Sequence, residues 1–333
     1  MNKFKLYFIV FATLAVLFSC NKADSPEIIP PRDFKVQYIS DSLVIHKYLK
    51  DYCIDSSDVN QVFKLRKIIP GSSDIALLNS SRLCSIKPIY DGVEYTVYYI
   101  KTREGSASGI SPVRVDQVLA AYRGAYLNDE STLEIQNNIR STDFEYIPYP
   151  ENFIYLNQTI RGWQEIIPLF KSGQIVNTSG SDPVNYTDFG AGVMFLPSGL
   201  AYYNIGSGSI PSYSPLVFSF KLYDVRRADQ DGDGIFSIDE SNESNGVYDF
   251  TKDTDGDGSP DYLDIDDDGD GYFTKTETKY TDSAGVVHYY PYNGAAVDDP
   301  ATPLVDETKG VPSCGSDFIT PTRLRRYLDP SCH

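Results

Sequence analysis

Thr159-Ile160-Arg161-Gly162-Trp163-Gln164-Glu165 contains the only tryptophan of the chain and lies in its most informative stretch, residues 153–225. This segment predicts a turn that enters a short helix. Met194-Phe195-Leu196-Pro197-Ser198-Gly199-Leu200-Ala201-Tyr202 predicts a strand that ends at a proline. After a loop with Ile210-Pro211, the run Leu216-Val217-Phe218-Ser219-Phe220-Lys221-Leu222-Tyr223-Asp224-Val225 predicts a closing strand, because it is rich in β-branched and aromatic residues.

Upstream of this stretch, the sequence predicts two more strands and a partly helical segment. Residues 93–100 and 113–126 are rich in β-branched and aromatic residues, and the second run contains Tyr122-Arg123-Gly124. Within residues 37–66, apolar residues are spaced roughly as one face of a helix, namely Tyr38, Leu43, Ile45, Tyr48 and Leu49. We expect this segment to pack on the core that the later strands form.

The order of these motifs from Val115 to Val225 resembles the FKBP-type peptidyl-prolyl cis-trans isomerases. That family has a strand ending in Tyr-x-Gly, an Ile-x-Gly-Trp turn before a short helix, a strand ending in Pro-x-x-x-Ala-Tyr, an Ile-Pro loop and a closing aromatic strand. The resemblance implies an α+β fold in which an antiparallel β-sheet wraps on a short helix. It also implies isomerisation of the bond before proline, with X-Pro segments of exported proteins as substrates.

The resemblance assigns roles to residues of a ligand pocket. Tyr122 stands where the family has a tyrosine in the pocket wall, and Ile160 stands where the main chain holds the ligand. Trp163 matches the pocket floor, and Tyr202 matches the tyrosine whose hydroxyl binds the substrate carbonyl. Ile210 matches the loop residue that flanks the pocket.

Two further aromatic residues match the pocket wall, and some family residues are replaced. Phe218 matches the phenylalanine on the last strand, and Phe153 matches another wall aromatic with its register open. The family carries a Phe-Asp pair about ten residues after Tyr-x-Gly, and the nearest match here is Leu133-Glu134, so Glu134 is the predicted pocket carboxylate. The glycine that usually follows the Ala-Tyr pair is Tyr203.

Rotation about an X-Pro bond requires no nucleophile and no proton transfer. Its barrier of about 18–20 kcal/mol comes from amide resonance, which is lost in the twisted state. A dry aromatic pocket favours that state because its charge separation is smaller, and donors at the rim stabilise the twisted carbonyl. The histidines His46, His288 and His333 lie outside residues 113–225, which excludes a Ser-His-Asp or Cys-His arrangement there. The alternative is that these aromatic residues only form a β-sheet core.

The segment 229–277 is strongly acidic. It carries 17 acidic residues against two lysines, a local charge of −15 in a chain of net charge −17. Such a segment repels itself unless a cation binds, and the net charge disfavours nucleic acid as a partner. Residues 229–240 and 266–277 have the twelve-residue EF-hand spacing, with acids at positions 1, 3, 5 and 12 and glycine at position 6. Residues 253–264 begin in the same way but end in Asp.

These three loops predict structural Ca²⁺, because alternate side-chain oxygens can surround one hard cation. The predicted ligands are Asp229, Asp231, Asp233, Ile235, Glu240, Asp253, Asp255, Asp257, Asp261, Asp264, Asp266, Asp268, Asp270, Tyr272 and Glu277. Of these, Ile235 and Tyr272 contribute backbone carbonyls. Residues 253–271 also resemble thrombospondin type 3 repeats, in which calcium nearly replaces a hydrophobic core. The alternative is a solvated acidic tail.

The N-terminus has the features of an export signal. A positively charged start and an apolar run from Leu6 to Phe18 lead to Cys20, and Leu17-Phe18-Ser19-Cys20 resembles the lipobox of bacterial lipoproteins. The resemblance implies that Cys20 carries lipid and binds the membrane. The protein is then expected in the cell envelope, anchored to the outer membrane on the periplasmic or the surface side. The alternative is an ordinary signal peptide with a chance cysteine.

The remaining cysteines, Cys53, Cys84, Cys314 and Cys332, allow three disulfide pairings in an exported chain. Proximity in the sequence favours Cys53–Cys84 and Cys314–Cys332. The predicted segments are a signal peptide (1–20), a tether (21–36), an N-terminal extension (37–112), an isomerase-like domain (113–225), calcium-binding acidic repeats (226–278) and a loop-rich tail (279–333).

Two functions compete at this point. The leading hypothesis is a lipid-anchored prolyl isomerase that acts as a folding factor on exported proteins. The alternative is a non-catalytic FKBP-like binding or assembly lipoprotein, which the departures at Leu133, Glu134 and Tyr203 favour. A calcium-stiffened segment that displays the module away from the membrane is compatible with either. The sequence has no Gly-rich phosphate loop and no zinc-type cluster, which disfavours kinases and metallohydrolases.

Overall fold

The computed structural model describes residues 30–55, 64–133, 135, 138–176, 184–244, 247–292, 310–318, 320 and 322–332. The chain divides into two units, Met1–Asp33 and Phe34–His333. Residues 30–33, the described part of the first unit, are exposed. Within the described ranges, no helix has both the length and the apolar character needed to cross a membrane.

The second unit contains short helices and many strands. The described α-helices are α1 (Phe34–Asp51), α2 (Arg161–Ile166) and α3 (Thr274–Glu277). The described strands are β1 (Tyr52–Ile54), β2 (Leu65–Lys67), β3 (Leu83–Ile86), β4 (Ile89–Tyr90), β5 (Val93–Glu94), β6 (Val97–Arg103), β7 (Gln117–Asp129), β8 (Ile139–Ile147), β9 (Ile154–Tyr155), β10 (Gln174–Ile175), β11 (Tyr186–Thr187), β12 (Gly190–Leu196), β13 (Leu216–Arg226), β14 (Asn242–Ser244), β15 (Val247–Asp249), β16 (Lys279–Thr281) and β17 (Val287–Tyr289).

The largest sheet has seven antiparallel strands in the spatial order β3–β6–β12–β13–β7–β8, with β9 paired to β7. The predicted α+β class, with an antiparallel sheet wrapped on a short helix, is confirmed. The strand predicted over residues 93–100 is divided between β5 and β6. The interruption has a cause, because the backbone N–H of Tyr95 donates to Pro88 O (2.9 Å) and that of Thr96 donates to the hydroxyl of Tyr38 (2.7 Å).

Both faces of the sheet are covered by helix, and the central strand β12 is buried along its whole length. Alternate residues of a strand point to opposite faces. Met194 and Leu196 accordingly belong to the core on the α2 side, with Trp163 among its members, whereas Val193 and Phe195 belong to the core on the α1 side. The sheet therefore has an apolar layer on each face, one beneath α1 and one beneath α2.

Helix α1 covers the sheet with the residues that the sequence pattern predicted, apart from one. Ile45, Tyr48 and Leu49 are buried in the α1-side core, and Tyr38 packs against the other core. Leu43, predicted on the same face, is exposed instead. The helix ends at Asp51, where the chain turns into the β1–β2 hairpin.

A buried polar contact ties α1 to the loop between β12 and β13. Asp41 is buried on α1 and accepts hydrogen bonds from the backbone N–H (2.7 Å) and the hydroxyl (2.6 Å) of Ser198. It also accepts a hydrogen bond from Gln37 Nε2 (2.6 Å). A little further along the same loop, Phe34 stacks on Tyr203 with 4.1 Å between ring centroids. The N-terminal helix therefore holds the segment that carries Tyr202.

The cysteines confirm one predicted disulfide and correct the other. Cys314 and Cys332 are bonded, with 5.4 Å between their Cα atoms. The Cys53–Cys84 pairing is wrong in this structure, where both are free thiols. The reason is topological: Cys53 is buried on β1 in a two-stranded sheet, whereas Cys84 is exposed on β3 at the edge of the large sheet. Nearness in the sequence therefore did not predict a bond for this pair.

Candidate functional site

The sheet and α2 form a partly open, mainly apolar cavity of about 360 Å³. This volume lies in the range of small-molecule and side-chain binding sites. The cavity is lined by Tyr122, Phe144, Glu145, Ile154, Gln158, Thr159, Ile160, Trp163, Tyr202 and Phe218. Five residues that the sequence predicted for a pocket, Tyr122, Ile160, Trp163, Tyr202 and Phe218, therefore meet at one place although they come from four separate segments.

Edge-to-face aromatic contacts hold the walls in position. The ring of Trp163 meets Tyr122 at a centroid distance of 5.0 Å and Phe218 at 5.4 Å, in both cases nearly perpendicular. Phe144 meets Phe218 in the same way at 5.6 Å. Such pairs contribute about 0.5–1.5 kcal/mol each beyond the area that they bury. The cavity is therefore bounded by rings that support one another.

Two glycines make this packing possible. A Cβ at Gly124 would lie 2.4 Å from the ring of Phe144 and 2.9 Å from that of Phe218. A Cβ at Gly162 would lie 2.4 Å from a methyl group of Leu196, so α2 can approach β12 only without a side chain there. The glycines of the Tyr-x-Gly and Gly-Trp motifs thus have steric causes at the cavity itself.

A hydrogen bond orients the phenol of Tyr122. Its hydroxyl donates to Glu145 Oε2 at 2.8 Å. Burial raises the pKa of Tyr122 above its ordinary value of 10, and the hydrogen bond to Glu145 raises it further. The phenol therefore stays protonated at neutral pH and its proton is committed to Glu145. Tyr202 is the other phenol that lines the cavity.

The remaining predicted pocket residues lie elsewhere. Glu134 lies outside the described residues, and the carboxylate that lines the cavity is that of Glu145. Phe153 contacts the guanidinium of Arg226, 3.7 Å from its ring centroid, and the next residue, Ile154, lines the cavity in its place. Ile210 is buried in the α2-side core without lining the cavity.

Sequence reasoning missed Phe144 and Glu145, which together provide a wall ring and the carboxylate. They lie on β8, where Glu145 pairs with Gly124 across the β7–β8 ladder. The adjacent aromatic and acidic residues were a signal that could have found them. The hairpin is longer than the family spacing of about ten residues, and Leu133, the residue that spacing selected, is 98% exposed.

The acidic segment folds into three similar turns. Asp229 accepts hydrogen bonds from the backbone N–H of Gly232 (2.7 Å) and Gly234 (3.1 Å). Asp253, at the start of the second loop, accepts the equivalent bonds from Gly256 (2.8 Å) and Gly258 (3.0 Å). In the third loop, Gly271 N–H donates to Asp266 at 3.1 Å. The first aspartate of each loop therefore organises its turn, as the repeated spacing predicts.

Within each turn, three carboxylates converge. Oxygens from the members of each set lie within 4.8 Å of one another, and the sets are Asp229, Asp231 and Asp233; Asp253, Asp255 and Asp257; and Asp266, Asp268 and Asp270. A fourth set of the same kind joins Asp233, Glu240 and Asp267. Oxygen-only donor sets of this kind suit a hard divalent cation such as Ca²⁺.

Several of these carboxylates are buried with oxygens that have no hydrogen-bond partner among the described residues. Glu240 and Glu277 have both oxygens in this condition. Burial, together with the carboxylates of Asp233 and Asp231, raises the pKa of Glu240 to about 11. Burial and the carboxylate of Asp268 raise the pKa of Glu277 to about 8. Buried charges require a partner or a metal, so the donor set fits a cation.

Not every predicted ligand joins a cluster. Asp261 is engaged by the ammonium group of Lys252 (2.5 Å) and by the backbone N–H (2.7 Å) and hydroxyl (2.8 Å) of Thr254. Asp264 accepts a hydrogen bond from the backbone N–H of Asp266 (2.9 Å). The backbone carbonyls of Ile235 and Tyr272 stay predictions.

Comparison with known proteins gives a family match and structural neighbours. Residues 230–304 match the family described as BamM C-terminal. A solved peptidyl-prolyl cis-trans isomerase from Pseudomonas syringae pv. tomato DC3000 is 16% identical and covers 60% of this chain and 100% of its own, with a TM-score of 0.32. FkpA from Escherichia coli is 18% identical and covers 68% of this chain and 74% of its own, with a TM-score of 0.31. No curated protein matches.

Proposed function

We propose that this chain is a peptidyl-prolyl cis-trans isomerase that binds a proline side chain in the cavity above Trp163. The observation that carries the proposal is the convergence of Tyr122, Ile160, Trp163, Tyr202 and Phe218 around one partly open, mainly apolar cavity. A simple β-sheet core would fill this space with its own side chains, because protein interiors are close-packed. An aromatic cavity with a few polar groups at its edge is instead the form of a binding site.

Such a site acts through its environment, by excluding water and donating hydrogen bonds, and not through a reacting side chain. A proline ring in the cavity leaves water, and the preceding amide lies at the rim, where the twisted state with reduced charge separation is favoured. Because the Tyr122 hydroxyl is bonded to Glu145, Tyr202 is the phenol that we assign to the substrate carbonyl. A donor that bonds more strongly to the twisted carbonyl than to the planar one lowers the barrier. No residue needs to exchange a proton.

The wider proposal places this activity in the cell envelope. Lipid on Cys20 and the part of the predicted tether that precedes α1 would hold the second unit at the outer membrane, where X-Pro segments of exported proteins are the substrates. Structural Ca²⁺ in the acidic loops would stiffen the segment that follows β13. The family match over residues 230–304 covers most of these loops and the chain after them, which supports treating them as one recurring segment.

The test is isomerisation of an X-Pro tetrapeptide by the chain from Asn21 onward, in calcium. We expect acceleration over the uncatalysed rate, and a decrease of kcat/KM by about tenfold in Tyr202→Phe, since one transition-state hydrogen bond is lost. Trp163→Phe, which enlarges the cavity, should also decrease it. Tyr149→Phe is the matched control, because it removes a hydroxyl from a tyrosine that is 87% exposed and outside the cavity.

A non-catalytic X-Pro binding module is the second candidate, and Tyr203 favours it. This residue has φ of +45° and stacks on Phe34, so the chain after Tyr202 is held against α1. Such a fixed loop suits static binding of a peptide better than release after each turnover. Binding of the tetrapeptide without acceleration, in protein with native circular dichroism, would establish this alternative. Absence of both binding and acceleration would refute the two candidates together.

A further inference from the structure

Asp267 occupies a place in the third acidic loop where the EF-hand spacing requires no ligand. It is the second residue of the loop 266–277 and is only 1% exposed. One of its carboxylate oxygens accepts a hydrogen bond from the hydroxyl of Thr274 (2.9 Å), whereas Oδ1 is buried without a hydrogen-bond partner in the described structure. A buried carboxylate oxygen without a hydrogen-bond partner is costly, so its presence at a position that is not an EF-hand ligand requires an explanation.

The carboxylate group of Asp267 lies against the first loop. Asp267, Asp233 and Glu240 offer oxygens that all lie within 4.8 Å of one another, and Asp233 and Glu240 are each only 2% exposed. Asp233 Oδ2 and both oxygens of Glu240 also have no hydrogen-bond partner in the described residues. Two oxygens bound to one Ca²⁺ at 2.3–2.6 Å are at most about 5 Å apart. The spacing of this set is therefore that of ligands around one cation.

Among the described residues, no lysine or arginine is hydrogen-bonded to the carboxylates of Asp233, Glu240 or Asp267. The two lysines of the acidic segment are directed to other groups: Lys252 pairs with Asp261 (2.5 Å), and Lys275 donates to the backbone carbonyl of Gly232 (3.0 Å). Three carboxylates that approach this closely in a dry interior repel one another strongly. We propose that Asp267 is a cross-loop ligand that completes the cation site of the first loop together with Asp233 and Glu240.

The geometry of the first loop gives this ligand a defined role. Position 9 of an EF-hand loop often reaches the cation through a water molecule, and here that position is Ser237. Ser237 is fully buried, and its hydroxyl accepts a hydrogen bond from the backbone N–H of Gln230 (3.2 Å). In this proposal, a carboxylate from the third loop supplies the ligand that position 9 would otherwise provide.

The consequence is that the first and third loops bind calcium as one structure. Asp267 is held by Thr274, and the backbone N–H of Thr274 donates to Ile265 O (3.0 Å), so the ligand is fixed by the third loop. On the other side, Ile235 of the first loop packs with Val311 and Tyr327 of the C-terminal segment. The cross-loop cation thus connects residues near the end of β13 to the disulfide-bonded end of the chain.

The inference rests on calcium binding by the first loop, and a double-mutant cycle tests it by isothermal titration of the chain from Asn21 onward with CaCl₂. We expect Asp267→Asn to raise the dissociation constant of one site by at least about tenfold, because charged ligands set calcium affinity. Asp229→Asn should abolish the same site. In the Asp229→Asn background, Asp267→Asn should then produce no further change. Glu243→Gln, an exposed acid of the same segment, is the control for loss of charge.

Thermal unfolding separates ligation from a merely structural role. In EDTA, Asp267→Asn should not lower Tm, since no bound cation then depends on its carboxylate, whereas in calcium Tm should fall below that of the wild type. Equal losses of Tm in EDTA and calcium, or a further loss of calcium binding when Asp267→Asn is added to Asp229→Asn, would overturn the cross-loop ligand. Absence of any calcium binding by the wild type would instead refute the calcium proposal itself, and it would leave protonation as the means that neutralises the cluster.

Discussion

The sheet and the acidic segment have interiors of opposite chemical character, one apolar and the other acidic. Every residue of β12 is buried, and its side chains are apolar on both faces. The centre of the acidic segment instead contains the buried carboxylates of Asp233, Glu240 and Asp267. Burying apolar area stabilises a fold without help, whereas burying like charges destabilises it unless a cation is present. We therefore expect the sheet to be stable without a cation, whereas the acidic segment should require one.

Calcium removal is the change with the largest expected effect on this contrast. With EDTA we expect residues 229–277 to lose their structure while the sheet stays folded, because each site occupied at 100 times its dissociation constant stabilises by about 2.7 kcal/mol. Hydrogen exchange measured by mass spectrometry checks this. Peptides from the acidic segment should lose protection in EDTA, and peptides from β12 and β13 should retain it.

The outcome that would break the contrast is loss of protection in both regions at the same EDTA concentration. The acidic segment would then be required for the sheet. One contact makes such coupling conceivable: Asp116, buried beside β7, forms an ion pair with Arg227, two residues before the first loop. Magnesium in place of calcium is the control, since Mg²⁺ demands octahedral geometry and binds such loops less readily.

Truncation of Asp41 has the next largest expected effect. It tests whether the stability of the sheet region also depends on a buried polar contact. Asp41→Ala leaves the buried N–H and hydroxyl of Ser198 without their acceptor, and we expect a loss of about 1–3 kcal/mol in the free energy of unfolding. Because the same loop carries Tyr202, kcat/KM for an X-Pro peptide should also fall by about tenfold. Urea unfolding and the peptide assay measure the two effects.

The matched control for this change is Lys47→Ala on the same helix. Lys47 forms a partly exposed ion pair with Asp129 at 3.4 Å, and exposed pairs contribute little to stability. We expect it to change neither the free energy of unfolding nor kcat/KM by a measurable amount. If Asp41→Ala is equally silent, α1 is only a cover for the sheet and does not position the cavity.

The contrast also explains how much the sequence could predict. The α+β class, the strands around Trp163 and Phe218, and five residues of the cavity followed from motifs whose glycines have local steric reasons. The convergence of three aspartates within each acidic loop could also be predicted, because their spacing lies within one loop. In both cases the information is contained within a few consecutive residues.

What the sequence could not predict are pairings between distant segments. Glu145 reaches Tyr122 only because the β7–β8 hairpin has a particular length and register, and hairpin register is set by the turn. Asp267 reaches the first loop through the packing of one loop on another. Cys53 and Cys84 were paired by nearness in sequence although they lie on different sheets. Contacts of this kind are properties of the assembled fold.

The smallest expected effect concerns Asp74, a carboxylate outside the acidic segment. Its pKa is shifted in the opposite direction to those of buried acids in that segment. Asp74 receives two hydrogen bonds from the guanidinium of Arg66 (2.6 and 2.8 Å), and these lower its pKa from 3.8 to about 2. A lowered pKa means that the contribution to stability is present above pH about 4 and is lost as pH falls toward 2. The pKa values of the buried Glu240 and Glu277 in the acidic loops are raised instead. NMR titration of the Asp74 carboxyl carbon measures this pKa. In Arg66→Gln, the pKa of Asp74 should return toward its ordinary value. Tm should change little, since the pair lies at the surface. An Asp74 that titrates normally in the wild type would show that the pair does not persist in solution.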